Sequence, residues 1–313
     1  MRAAAALAIG VVSVLGLGGC SSITYEQEYV IAGGGTAGVY YNYGAHLAEE
    51  LSHALDTSVI VEESGGSVDN LLRIGRGQAV MGFAQGDAAA DAIAGTGMFT
   101  SPVPILAVAR LYDEYVHVVV RGDSDIEEIA DLEGRVVSLG ASGSGVNVVA
   151  TRVLHAVGLS SDSVVDRELG LDASIEALAR GDIEGFFWVG GLPTPGVERV
   201  SAELPIRLLS IQGETVNSIN ALHKGVYRLA DFPTGAYNRA GTTSTMTVPN
   251  YLFVAEDASP DFVREVTRVL FDSRSEIGQA VPAANLLDLR QAIFTDPIDL
   301  HPGAIEYYSE RRG

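Results

Sequence analysis

Apolar residues fall in short runs separated by stretches in which they recur every third or fourth position, the alternation expected of parallel strands joined by crossover helices. Residues 29–32 read as a strand, followed by a glycine turn and a helix with Leu47, Leu51 and Leu55 on one face. Residues 58–62 predict the next strand, 67–73 a helix, and 80–84 a third strand. Further strands are expected at 115–121, 136–139, 185–189 and 206–211. Another is expected at 245–254, where Pro249 argues for an edge or hinge position rather than a central strand. The C-terminal part predicts helices over 261–277 and 284–294. Residues 72–83 pass from a helix through Arg76-Gly77 into a strand with Phe83, and 178–187 repeat this with Arg180-Gly181 and Phe187. That echo suggests two similar α/β lobes in tandem.

The first nineteen residues break this pattern. Arg2 is followed by an apolar stretch over 3–15 and then Leu17-Gly18-Gly19-Cys20, a leader ending in small residues before a cysteine. The run is shorter than the ~20 residues a spanning helix needs. The pattern resembles a bacterial lipobox, in which Cys20 is lipidated and becomes the new N-terminus. Cys20 is the only cysteine, so the mature chain is expected to have no disulfide, thiolate metal site or cysteine nucleophile. What remains is about twice the ~100–150 residues of a usual domain, which fits two lobes.

Of the 313 residues 47% are apolar and 19% charged, a globular composition, and the formal charge is -20. With no basic run, nucleic acid is excluded as a partner, because phosphate binding needs a cationic face. The six histidines show no metal-ligand spacing, and no G-x-S-x-G elbow surrounds Ser142 or Ser144. Asp87 and the Glu49-Glu50 pair fit helix ends or a solvated face better than acid catalysis. No metal or cofactor is expected.

Three glycine-rich loops carry the candidate chemistry, each between a strand and a helix. Gly33-x-Gly35-x-x-Gly38 matches the dinucleotide fingerprint, so a flavin or nicotinamide oxidoreductase is one alternative. An exported protein is a poor setting for that cofactor, however. Gly65-Gly66-Ser67, with Asn70 one turn on, is the second loop, and Ser142-Gly143-Ser144-Gly145 is the third. Amide-rich loops at the C-terminal ends of strands converge on the crevice where open α/β sheets bind ligands. The expected ligand is small and anionic, held by neutral donors. Along 186–188, alternation puts Phe187 and Trp188 on opposite faces, so one of them can face the cleft.

The blocks GGGTAGVYY (33–41), SGGSVDNL (64–71), GFAQGD (82–87), RLYDEYVHVVVR (110–121), DLEGRVVSLGASGSG (131–145), FFWVGGLPTP (186–195) and HPGA (301–304) together resemble the TAXI family, solute-binding proteins of TRAP (tripartite ATP-independent periplasmic) transporters. The likeness runs from about residue 28 to the C-terminus. It implies an α/β, type II periplasmic-binding-protein fold with a ligand cleft between two lobes. Lobe 1 would comprise 23–115 plus 250–313 and lobe 2 would comprise 118–247, with hinges near 112–118 and 248–253. It implies a non-enzymatic, monomeric protein at the extracytoplasmic face of a bacterial membrane, in the periplasm or at the cell surface. That protein would deliver a small carboxylate, such as glutamate, glutamine or a 2-oxoacid, to TRAP permease subunits driven by an ion gradient. Carried over position by position, Gly35, Thr36, Gly38, Tyr40, Ser67, Asn70 and Gln85 would line the first lobe. Ser142, Gly143, Ser144 and Gly145 would hold a carboxylate from the second, and Tyr237 is a further candidate. Val146, Gly86 and Gly185 depart from residues common at these places in the family (Thr, Ser and Asp), which leaves the ligand open. A sensor presenting its ligand to a membrane receptor is the other alternative.

Overall fold

A computed structural model of the chain describes residues 28–36, 38–223, 226–238 and 241–311. The leader over 1–19 and the lipidation candidate Cys20 lie outside the described residues. The chain runs β1 (Tyr29–Ala32), α1 (Val39–Leu55), β2 (Val59–Glu62), α2 (Ser67–Gly75), β3 (Met81–Gln85), α3 (Gly86–Ala94) and the long β4 (Ile105–Arg121). It continues through β5 (Val136–Ser138), α4 (Gly145–Ala156), β6 (Val165–Asp166), α5 (Leu171–Arg180), β7 (Gly185–Gly190), α6 (Pro195–Glu203) and β8 (Ile206–Leu208). Then come α7 (Gly213–Leu222), β9 (Arg228–Phe232), β10 (Thr243–Ala255), α8 (Pro260–Asp272), α9 (Arg274–Ala280) and α10 (Pro302–Arg311).

The strands pair in the order β2-β1-β3-β10-β4-β7-β5-β6, with β8 also on β4 and β9 also on β10. Two equivalent five-stranded units share this path. In the first, β2, β1 and β3 are parallel and meet antiparallel β10, which pairs β4. In the second, β6, β5 and β7 are parallel and meet antiparallel β4, which pairs β8. The helix–glycine–strand echo in the sequence therefore joins topological equivalents, α2 to β3 and α5 to β7. Gly77 and Gly181 end the two helices at φ 68° and 78°, the left-handed conformation that glycine adopts without cost.

Each unit has an apolar core on both faces of its sheet, as the strict alternation of strand side chains requires. Ile31, Phe83 and Leu252 pack on one side of the first sheet with α1 and α8, and Ala32, Ala84 and Phe253 on the other with α2 and α3. In the second, Val118, Phe187 and Val248 face α4 and α7, while Val119, Phe186 and Leu208 face α5 and α6. Helix α8 shows the matching stripe, with Val263, Val266, Val269 and Leu270 buried.

Several elements differ from the sequence expectation. β4 begins ten residues before 115, because Arg110 and Asp113 neutralise one another at 2.5 Å and so tolerate strand positions. Pro249 sits inside the central strand β10, paired with Asp113 of β4. On the other side of β10, β9 pairs only as far as Thr247 and β3 begins at Asn250. The proline thus falls where no strand needs its missing N–H. Residues 284–294 do not form the expected helix. Ala284, Leu287 and Ala292 are buried, but Asp288 accepts the N–H groups of Arg290 and Gln291 at 2.9 and 3.1 Å, which holds a turn instead. Helices α3, α6, α7 and α10 were not expected; α3 buries only alanines and its first two residues, too weak a stripe to read.

The two units are also joined by a buried ionic cluster. Arg152 of α4 donates to Asp87 of α3 at 2.9 Å and to Asp91 at 2.6 Å, and Tyr227 donates its hydroxyl to Asp87 at 2.5 Å. Burial pushes the Asp87 carboxyl up, against the lowering pull of Arg152 and Tyr227. Replacing Arg152 by Met leaves Asp87 without its counter-charge, a change that costs about 3 kcal/mol when the group must stay ionised. A raised acid loses stability as pH rises through its titration. Urea unfolding of Arg152→Met should therefore show the larger deficit at pH 8 and the smaller at pH 5, where Asp87 can take up a proton.

Candidate ligand-binding site

The loops after β1, β2 and β5 lie at the C-terminal ends of parallel strands and lead into α1, α2 and α4, so three helix N-termini meet at the crevice between the sheets. They enclose a cavity of about 290 Å³, at the small end of the ~300–1,000 Å³ typical of ligand sites. Gly35, Thr36, Gly38, Tyr40, Ser67, Gln85, Ser144 and Gly145 line it. Trp188 also lines it, with its indole N–H tied to Thr194 Oγ1 at 3.2 Å, while Phe187 points into the core.

Four of the expected site residues do not line the cavity. Asn70 is fully buried behind it, donating to the Phe83 carbonyl at 2.8 Å and accepting from the Ser64 hydroxyl. Ser64 Oγ in turn receives the Gly34 and Gly66 N–H groups at 2.8 and 3.3 Å, so Asn70 positions two loops without facing the cavity. Ser142 and Gly143 form the turn in which the Ser144 N–H bonds the Ala141 carbonyl at 3.1 Å; Gly143 has φ 73° there. Tyr237 is buried on the far side of the second sheet. Its hydroxyl donates to His117 Nε2 at 2.7 Å and accepts the Thr194 N–H at 3.1 Å, so it is consumed by packing. Burial pushes the Tyr237 hydroxyl up to about 12 and His117 down to about 4, which keeps both neutral.

The loop amides are less available than the glycine pattern suggests. Gly65 donates to Asp69 Oδ2 at 3.0 Å and Gly38 to the Gly35 carbonyl at 2.9 Å. The donors left are those of the first helical turns, which have no intrahelical acceptor, apart from the Asn147 N–H, which Ser144 Oγ accepts at 3.1 Å. They bring the positive ends of the α1, α2 and α4 dipoles to the cavity.

At the floor stands Glu114, a residue that sequence reasoning missed. It lies on β4, is 2% exposed, and accepts from Gln85 Nε2 at 2.9 Å, Tyr40 Oη at 3.1 Å and Tyr112 Oη at 3.4 Å. Asn250 Nδ2 of β10 donates to the Tyr40 hydroxyl at 2.6 Å. Burial pushes the Glu114 carboxyl up to about 8, although all three donors pull it down. Burial, and then the Glu114 charge, hold the Tyr40 hydroxyl well above its ordinary range. Two buried acceptors in this cluster, Gln85 Oε1 and Asn250 Oδ1, have no donor among the described residues. The ionisable residues around the cavity, tyrosine aside, are Glu63, Glu114 and Asp172; no Lys, Arg or His joins them among the described residues.

The two sheets touch through glycines. Gly66 faces Ser144 and Gly38 faces Trp188. A Cβ on Gly145 would overlap Gln85 Oε1 and stand 2.7 Å from Ser67 Oγ. Both partners lie across the crevice, so this is a closed arrangement. Gly145 is the first residue of α4 and its φ is not positive, so a larger side chain fits its backbone but not the contact. Gly145→Val should keep native circular dichroism while increasing the radius of gyration in small-angle scattering. A variant as compact as the parent would contradict this role for the contact.

The sequence profile of the NMT1-like family matches residues 31–311. Among solved structures, periplasmic binding protein BugD aligns with TM-score 0.56 at 11% identity, covering 92% of this chain and 95% of that one. A structure described as a periplasmic transporter aligns with TM-score 0.54 at 14% identity, covering 92% and 94%. The alkanesulfonate-binding protein SsuA from Xanthomonas axonopodis pv. citri, bound to MOPS, aligns with TM-score 0.51 at 15% identity, covering 90% and 83%. The fold is therefore that of the periplasmic binding proteins, with two α/β lobes and a cleft between them.

Proposed function

The chain belongs to the NMT1-like family, and from this premise we propose that it is an extracytoplasmic solute-binding protein of a TRAP-type transporter that captures a small carboxylate. The observation that carries this is the closed cleft, where three helix N-termini meet in a cavity of about 290 Å³. Its walls belong to both lobes, so ligand binding and lobe closure are one event. The neighbours' descriptions as binding and transport proteins support the general role, and the TAXI-like sequence blocks support the TRAP partner. Glycine loop 33–38 serves here as one wall of a small cavity, which fits a metabolite better than a dinucleotide.

The binding residues on this reading are Gly35, Thr36, Gly38, Tyr40, Ser67, Gln85, Ser144 and Gly145. Ser144 has a second duty, since its hydroxyl caps α4 by accepting the Asn147 N–H at 3.1 Å. The lobe division at 115–118 and 247–250 falls where β9 gives way to β3 beside β10, which supports a hinge in the β4–β10 pair that opens by twisting. Delivery requires proximity to a membrane permease. No helix among the described residues is long and apolar enough to cross a bilayer, and the proposed tether is lipid on Cys20.

Two experiments test this reading. The mature chain, refolded to remove carried-over ligand, should gain about 2.7 kcal/mol of stability from a small carboxylate present at ~100 times its dissociation constant. NAD or FAD should leave it unchanged; stabilisation by a dinucleotide alone would favour an oxidoreductase. Cys20→Ser should move the protein from the membrane fraction to the soluble fraction, because the several acyl chains of a lipidated cysteine hold far more firmly than one.

A further inference from the structure

Tyr237, expected in the site, stands outside it, yet its hydroxyl reaches the cavity wall through a single residue. The hydrogen bonds that connect them have only one possible direction. The Tyr115 carbonyl can only accept, so His117 Nδ1, at 2.9 Å from it, carries the proton of the ring. Burial keeps that ring neutral, so Nε2 is bare and takes the Tyr237 O–H at 2.7 Å. The Tyr237 oxygen is left to accept the Thr194 N–H at 3.1 Å. The Thr194 hydroxyl donates to the Gly191 carbonyl at 2.7 Å and accepts the Trp188 indole N–H at 3.2 Å. Removing any member of this series strands its neighbour in a buried place.

Two of its members are diverted from their ordinary behaviour. Thr194 occupies the N-cap of α6, where a threonine usually accepts a helix N–H, but its hydroxyl makes no cap bond and serves the indole instead. Tyr237 holds φ 54° and ψ 41°, a left-handed conformation that is costly for a bulky side chain. The series ends on the only tryptophan of the protein. That indole lies back along β7 over Gly190, where a Cβ would stand 2.6 Å from Nε1. Its opposite end, Cη2, is 3.9 Å from where a Cβ on Gly38 of the first lobe would lie. Trp188 is thus tied at its N–H within one lobe and meets the other lobe at its far end, lining the cavity between. His117 is its register partner across β4 and β7, so the anchor and the indole ride on neighbouring strands.

We propose that Tyr237 is a positioning residue for ligand binding: through Thr194 it fixes the Trp188 indole in the cavity wall where the lobes meet. The inference rests on the reading of this cavity as a carboxylate site and adds a residue that acts on it without lining it. Loss of the Tyr237 hydroxyl leaves the Thr194 N–H and His117 Nε2 unpaired. The segment carrying Thr194 is then released, and rotation of the indole about its tied end disturbs the wall and the contact with Gly38 together.

The test uses the mature protein, in which all tryptophan emission comes from Trp188. Tyr237→Phe, confirmed as folded by its melting transition, should show stronger quenching by acrylamide and faster anisotropy decay of the indole. It should also bind about fivefold more weakly, the worth of one neutral hydrogen bond, in calorimetric titrations with L-glutamate, L-glutamine, 2-oxoglutarate and pyruvate as probes. Thr194→Val, which removes the indole's acceptor and keeps the N–H bond to Tyr237, should do the same, and it carries the comparison if Tyr237→Phe does not fold. Thr194→Ser should retain the parent's emission and affinity. In a Trp188→Phe background there is no indole N–H to hold, so Tyr237→Phe or Thr194→Val should cost no further affinity. Parent-like emission in the folded variants overturns the inference. An equal loss of affinity in both backgrounds, the mark of a general structural role, overturns it too, and carboxylate capture stands in either case. If none of the four probes binds the parent protein, the carboxylate reading fails and the inference falls with it.

Discussion

Everything in this molecule hangs on one antiparallel pairing, that of β4 with β10. The pair runs from Thr247 opposite Tyr115 to Ala255 opposite Ile105, and each strand belongs to both sheets. β4 leaves β10 to pair β7 and β8, while β10 exchanges β9 for β3. The two lobes are thus joined by a stiff connection, a hydrogen-bonded ladder, and on the proposed reading the hinge lies in the stretch where the outer partners change. The register shift between Asn250 and Tyr251 and the proline at 249 fall in that stretch.

The same crossing explains why the site's most perturbed carboxyl is where it is. Glu114 and Asn250 lie on β4 and β10, at the base of the crevice the two lobes form when they meet. Side chains at a crossing point are covered by both lobes whatever the ligand, so they are buried more deeply than those on the loops. A carboxyl in such a place costs free energy when ionised unless a counter-charge arrives. Among the described residues Glu114 has three neutral donors and no cation lining its cavity, and burial keeps its carboxyl up at about 8. By contrast Asp87, equally buried, has Arg152 beside it at 2.9 Å and is spent on joining the lobes.

Much of this was legible in the chain because it is locally encoded. Glycines between an apolar run and a helical stripe mark strand-to-helix loops wherever they occur, and Trp188 and Phe187 part to opposite faces by alternation alone. The helix–glycine–strand echo gave the lobe repeat from a few residues. What escaped depends on distant partners. Nothing local to Glu114 reveals that Gln85 and Tyr40 will stand over it, 29 and 74 positions earlier in the chain. Tyr237 misleads for the same reason: its hydroxyl is claimed by His117, 120 residues away. Ser142 and Gly143 were read as ligand-facing because their loop is, yet the turn that aims Ser144 and Gly145 inward must aim its own first residues elsewhere.

On the proposed reading a chain of formal charge -20 takes up a carboxylate, and among the described residues no lysine or arginine lines the cleft to receive it. Helix dipoles act over a single turn, so three of them focused on one cavity create a positive region that neither raises the protein's net charge nor reaches the outer surface. That field exists only when the lobes are together, because α1 and α2 belong to one and α4 to the other. Gly145, bare against Gln85 and Ser67, sets how near α4 can come. On the proposed reading the attraction for the anion and the energy of closure are coupled through the width of one glycine, where a Cβ would meet Gln85 Oε1 and Ser67 Oγ.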